Sequence, residues 1–418
     1  ANTTHKMKNW LIILIQFFAF TNSSWATIVQ VGKGKTFTTI VAAMQAVKQG
    51  DTVYVYEGHY KEQNLIIDKS IYLKGINKPI LDGENKYEVI SIKANKVTVD
   101  GFIIKHSGVS SIVDYAGIKI YDGRDVVIKN NIIEDAFFGI YTQYGINCTI
   151  ENNTLTAYNK EEQKSGNGIH CWKSDSMKII ANKISGHRDG IYFEFVTNSI
   201  IWRNTSTRNL RYGLHFMFSN NDTYAVNTFE NNGAGVAVMF SKQVKMFNNY
   251  FKENWGDAAF GILLKEISDS YISGNHFERN TSGIFMEGAS RITVERNSFL
   301  NNGWGLKIQA SCMDIELFKN NFIANTFDVS TNGSLVLNKF HNNYWDKYEG
   351  YDLNKDKIGD IPYRPVSMYA MIIEINPPAM ILFRSFITTL LDKTEKVLPS
   401  LTPENLKDDS PLMKPLPL

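Results

Sequence analysis

Apolar and polar residues alternate along this chain in short runs, and the runs return with a period near 22 residues. A motif of glycine, an aliphatic residue and an extended stretch begins at Gly117, Gly139, Gly168, Gly190, Gly213, Gly235, Gly261, Gly283 and Gly305. The steps between these glycines are 22, 29, 22, 23, 22, 26, 22 and 22 residues. A second marker, asparagine followed by an apolar side chain, keeps the same period at Asn131, Asn153, Asn182, Asn204, Asn227, Asn249, Asn275, Asn297 and Asn321. Two markers holding one period define a solenoid. The runs are rich in Ile, Val, Phe and Tyr and are bounded by Gly, Asn and Asp, so each coil is predicted to be built of short strands.

The predicted fold class is all-β: a right-handed parallel β-helix with coils of about 22 residues. Leucine-rich repeats share that length but need a leucine-dominated pattern, and left-handed β-helices need a six-residue period. At strand spacing, about thirteen coils between residues 52 and 345 make a rod on the order of 60 Å long. Counting each glycine as position zero, positions one and three point inward. Cys171, Phe193, Phe216, Val238, Leu264, Met286 and Ile308 then stack in the core. Positions two and four point outward and give His170 with Trp172, Tyr192 with Glu194, His215 with Met217, and Ala237 with Met239.

An open solenoid end exposes strand edges and needs a lid. Residues 36–49 read as an amphipathic helix, with Ile40, Ala43, Met44 and Val47 on one face. Thr36 or Thr38 is its expected N-cap and Gly50 its stop. The first strand is expected at Thr52–Tyr56. Past Trp345 the pattern changes to a polar loop over 346–361 and an apolar stretch from Ala379 to Leu391 of near-helical spacing. From Asp392 a proline-bearing tail is expected to lie extended on a surface, its own or a partner's. Residues 1–26 read as a cleaved signal peptide, with Lys6 and Lys8 before an apolar run and Ser24-Trp25-Ala26 at the cleavage site; an uncleaved anchor is the alternative. The division expected is therefore 1–26, then 27–345 for the β-helix with its capping helix, then 346–418 for the loop, helix and docking tail.

Charge alters this picture little. The 44 basic and 42 acidic residues give a net charge of +2, which offers no sign of a nucleic-acid partner. Three cysteines, Cys148, Cys171 and Cys312, show no CxxC spacing and form no disulfide framework. Many β-helices cleave acidic polysaccharides, so a lyase or hydrolase is the competing class. Glycoside hydrolysis needs two carboxylates across the bond. The one Asp-Asp pair, Asp408-Asp409, lies in the tail, and Gly186-His187-Arg188 matches only part of a hydrolase GHG motif. Glu194, Glu266 and Glu287 project near one region and read as a solvated face. The expectation is a protein that is not an enzyme.

Two metal-binding patterns stand out. Outward-facing methionine is unusual, and a thioether is a soft donor suited to Cu(I). Met217 and Met239 fall on successive coils, His215 shares their face, and His170 lies two coils away, which makes these four residues the candidate copper stripe. The other reading of the stripe is an apolar-aromatic patch for another protein or the tail. Separately, Asp352, Asn354, Asp356 and Asp360 place oxygens at alternating positions as a calcium loop does, but Lys357 replaces the turn glycine and Tyr363 the final glutamate. A metal-free Asx turn explains the segment equally well.

The chain resembles the NosD family of nitrous-oxide reductase maturation proteins. The resemblance is carried by Gly168-Ile169-His170-Cys171-Trp172, Gly186 through Phe195, Tyr212 through Phe218, Pro362-Tyr363-Arg364-Pro365-Val366-Ser367 and Pro399-Ser400-Leu401-Thr402-Pro403-Glu404. It implies a periplasmic β-helix that docks on an ABC transporter permease and takes part in copper-site assembly. A copper chaperone lipoprotein and the apo nitrous-oxide reductase are its implied transient partners.

Overall fold

The computed structural model describes residues 26–110, 112–333, 337–397 and 406–418. The predicted signal peptide, up to residue 25, and the Pro399–Glu404 motif therefore lie outside the described residues.

Among the described residues, short strands stack in three parallel sheets of 14, 13 and 12 strands. Neighbours in each sheet are separated in sequence by one coil, as a right-handed parallel β-helix requires. The fourteen-stranded sheet starts at Ile28–Val31, ahead of the expected first strand, because this segment pairs in parallel with Thr52–Val55 and covers its edge. The inward column is as expected. Cys171, Phe193, Phe216, Val238, Leu264, Met286 and Ile308 follow one another in register, and all are fully buried. On the thirteen-stranded sheet a second column, Phe229, Phe251, Phe277, Phe299, Phe322 and Trp345, stacks ring on ring at 4.3–5.4 Å.

The asparagine marker is an internal hydrogen-bonded ladder. The backbone and side-chain N–H groups of Asn131 both donate to Asn153 Oδ1, at 3.0 and 3.1 Å. The same exchange continues through Asn182, Asn204, Asn227, Asn249, Asn275, Asn297, Asn320 and Asn343. The second amide hydrogen goes to a strand carbonyl, as from Asn153 to Ile128 O at 3.0 Å. Every polar atom of this buried column is thus paired, which removes the penalty of burying an amide. The member expected at Asn321 is in fact Asn320; Asn321 opens the following strand. A second ladder runs through Asn209, Asn232, Asn254, Asn280, Asn302 and Asn325, headed by the backbone N–H of His187.

Helix α1, Ile40–Ala46, lids the N-terminal end and is shorter than expected. Its N-cap is Thr39, whose hydroxyl accepts from Ala42 N at 3.4 Å. The Glu62 carboxylate, 22 residues on, accepts the Ile40 and Val41 N–H groups at 2.7 Å each and pins the helix to the rod.

The other end departs most from expectation. Helix α2 (Met368–Ile375) precedes the apolar stretch from Ala379, which falls in a 3-10 segment (Pro377–Leu382) and helix α3 (Phe386–Val397), and together they form one excursion. Arg384, at φ +62°, separates the last two. Tyr369, Ala370 and Ile373 of α2 pack with Phe327 and Trp304 on the outside of the twelve-stranded sheet. Residues 406–418 lie against the end of the rod, where Asp408 pairs in parallel with Phe340 and Leu412 with Tyr344. Asp408, assigned to the tail by sequence, is fully buried at the end of the last coil.

Candidate functional site

The outer wall of the twelve-stranded sheet carries the residues of the copper stripe in two rows. Position two reads Lys119, Tyr141, His170, Tyr192, His215 and Ala237 on successive strands. Position four reads Gln143, Trp172, Glu194, Met217, Met239 and Lys265. Met217 and Met239 are register partners in strands Tyr212–Met217 and Ala234–Met239. His215, two residues before Met217, shares its face. His170 stands apart, because the ring of Tyr192 sits between the two imidazoles at 4.8 Å from each.

These outward residues are more enclosed than alternation alone predicts. His170 and His215 are buried, and Met217 and Met239 are half-buried. Aromatic neighbours account for the enclosure: Tyr141 packs on His170 at 4.4 Å and Tyr212 on His215 at 4.8 Å. Burial, reinforced by the Arg188 guanidinium, pushes the His170 pKa down to about 3, so its imidazole is neutral at pH 7.

Arg188 and Asp189, within the Gly186–Gly190 segment read from sequence as a satisfied corner, stand near these histidines, and several groups in this region are unpaired. Both ring nitrogens of His215, Nε2 of His170, Oδ2 of Asp189, Oδ1 of Asn167 and both nitrogens of His187 are buried without a hydrogen-bond partner. Asp189 Oδ2 lies 3.8 Å from His215 Nδ1, beyond hydrogen-bond reach. The signal for Asp189 was available, since it precedes Gly190 where later coils carry Tyr212, Ala234 and Phe260. Among the described residues, no three His, Cys, Asp or Glu side chains converge as a metal site. The soft donors at this wall are the two thioethers and the imidazole of His215.

The calcium expectation is not supported. In the 352–360 loop, Asp352 accepts from the backbone N–H groups of Asp356 and Lys357, Asp356 from Ile358, and Asp360 from Leu353. These carboxylates cap their own turn, the Asx geometry that needs no ion. Of the glutamates, Glu287 pairs with Lys265 at 3.6 Å. Cys148, Cys171 and Cys312 are buried free thiols.

A rod of three parallel sheets with internal asparagine ladders is a right-handed parallel β-helix protein. Residues 20–166 match the right-handed β-helix region model, and residues 146–355 match the model described as periplasmic copper-binding protein (NosD). The chain belongs to the NosD family. It is 26% identical over 370 residues to the probable ABC transporter binding protein NosD of Pseudomonas aeruginosa, covering 84% of this chain and 86% of the relative. Its identity to the protein of the same description from Stutzerimonas stutzeri is 24% over 377 residues, 85% of each chain. The family 28 exopolygalacturonase of Yersinia enterocolitica superposes with a TM-score of 0.58 at 13% identity, over 77% of this chain and 79% of that one, a likeness of fold alone.

Proposed function

We propose that this protein is a periplasmic, non-catalytic platform that docks on an ABC transporter and presents Cu(I) during maturation of nitrous-oxide reductase. Membership of a family described as periplasmic and copper-binding supports the compartment and the cargo. The relatives' description as ABC transporter binding proteins supports the docking. In this reading a copper chaperone lipoprotein supplies the ion and the apo-reductase receives it.

The observation that carries the reading is the register pairing of Met217 with Met239, beside a buried His215 with no hydrogen-bond partner on either nitrogen. Two thioethers and an imidazole form the soft donor set that suits Cu(I). Such a set adds no charge to the ion and lets it leave for a thiolate or a richer site. The transporter grip falls to the α2–α3 excursion, where Ile381 is 90% and Phe386 80% exposed.

The test is a chelator competition with the full chain. Met217→Leu with Met239→Leu keeps the side-chain volume and removes both sulfurs, and the Cu(I) affinity is expected to fall at least tenfold. An unchanged affinity refutes the stripe as the copper site.

A further inference from the structure

The corner that follows each strand of the twelve-stranded sheet is left-handed in every coil from Asp122 to Glu266, with φ between +46° and +54°. Bulky side chains resist this conformation, which suits Gly, Asn and Asp. Three successive coils nevertheless place phenylalanine there: Phe195, Phe218 and Phe240. The same corner closes with Asp122, Lys173 and Glu266 in other coils, so the fold does not require an aromatic ring at this position.

The three rings stack at 5.1 Å, with interplanar angles of 8° and 18°. Stacking covers their faces and turns their edges to solvent, leaving them 44%, 40% and 40% exposed. Phe218 and Phe240 directly follow Met217 and Met239, so the ridge runs alongside the methionine pair. Basic residues outnumber acidic ones around it. Lys173 and Lys242 are exposed near the ridge, and Lys178, Arg203 and Lys245 are exposed on or beside the adjoining sheet. On the acidic side, Glu194 is half-buried, Asp175 is engaged by Ser176, Thr197 and Asn198, Asp269 is paired with Arg291, and Glu266 is exposed at the corner after Phe240.

We propose that this phenylalanine ridge seats a second protein that exchanges Cu(I) with Met217 and Met239, through a segment carrying methionines flanked by acidic residues. The proposal rests on the copper reading above and adds the docking surface and the chemistry of the partner. Exposed ring edges are favourable contacts for thioether sulfur. A basic rim steers and holds an acidic segment. The ridge adjoins the thioether pair in sequence and space, so Cu(I) passes by exchange of one thioether for another, with no change of oxidation state.

The test uses the full chain and a twelve-residue synthetic peptide alternating methionine and aspartate. Phe195→Asn with Phe218→Asn and Phe240→Asn places at all three corners a residue that accepts the left-handed backbone, so the thermal midpoint is expected to hold or rise. Peptide binding is expected to weaken at least tenfold in this triple variant, while Cu(I) affinity without the peptide stays at the parent value. Replacing methionine by norleucine, or aspartate by lysine, is expected to weaken binding to the parent. No peptide binding to the parent, equal binding to the triple variant, or a preference of the ridge for anionic phospholipid vesicles over the peptide overturns the proposal. Failure of the copper reading has a different signature: Met217→Leu with Met239→Leu leaves Cu(I) affinity intact whatever the peptide does.

Discussion

Asp408 Oδ2 accepts both the backbone and the side-chain N–H of Asn343, at 2.9 and 3.0 Å, and so ends the long asparagine ladder with a carboxylate. The same oxygen accepts from Trp345 Nε1 at 3.0 Å, which ties the aromatic column to the ladder. Each asparagine in the column passes its donors to the next, and the last member needs an acceptor with no donor to place. A carboxylate meets that requirement and an amide meets it less well.

Asp408→Ala is therefore expected to strand three buried donors and cost about 3 kcal/mol or more. Asp408→Asn retains an acceptor oxygen and is expected to cost less. Urea unfolding of both variants, with limited proteolysis of residues 406–418, checks the order. Equal stability of Asp408→Ala and the parent contradicts the capping role.

The rod itself was legible in the sequence because its geometry demands particular residues. Glycine recurs where a Cβ would collide with the carbonyl oxygen of the next coil, asparagine recurs where the ladder needs an amide, and alternation gave the inward column from Cys171 to Ile308. Adjacent asparagines blurred the phase at Asn320 and Asn321, since either fits the spacing. The enclosure of His170 and His215 was not legible, because it depends on Tyr192 and Tyr212, which meet them only through coil stacking. Nor was Asp408, which meets Asn343 across 65 residues of loop and helix that carry no period.

His187 stands where the next six coils place asparagine, and burial pushes its pKa down to about 4 from an ordinary 6.5. The unfolded chain takes up a proton before the folded one does, so this histidine's contribution to stability is lost as the pH falls from about 6.5 towards 4. His187→Asn extends the second ladder by one member and removes two unpaired ring nitrogens. It is expected to stabilise the rod by about 1–2 kcal/mol at pH 7. The loss of stability between pH 7 and pH 5 should shrink as well, which urea titrations at the two pH values measure.

Asp222 works in the opposite sense. Burial pushes its carboxyl up to about 8, although its Oδ1 accepts from Ser199 N at 2.8 Å. Between the usual carboxylate value of 3.8 and about 8, the folded chain keeps a proton that the unfolded chain releases. Stability therefore falls as the pH rises through that window. Asp222→Asn preserves the shape and the acceptor for Ser199, and removes the titration. Its thermal midpoint is expected to exceed the parent's at pH 8 and to match it near pH 4.

The α2–α3 excursion is held at both ends by the rod, and this decides how a docking test must be built. On one side Val366 pairs with Val329, and Lys307 Nζ lies 2.8 Å from Glu374 of α2. On the other, Asp408 closes the ladder. Deleting residues 366–418 removes the grip and the cap together, so loss of transporter binding after that deletion reports either one. Replacing residues 380–397 by a short Gly-Ser linker keeps α2 on the sheet and residues 406–418 in place, and removes α3 with the exposed Ile381 and Phe386. The expected product unfolds within a few degrees of the parent, retains its Cu(I) affinity and no longer co-purifies with the transporter. Co-purification that survives the replacement moves the grip from the excursion to the wall of the rod.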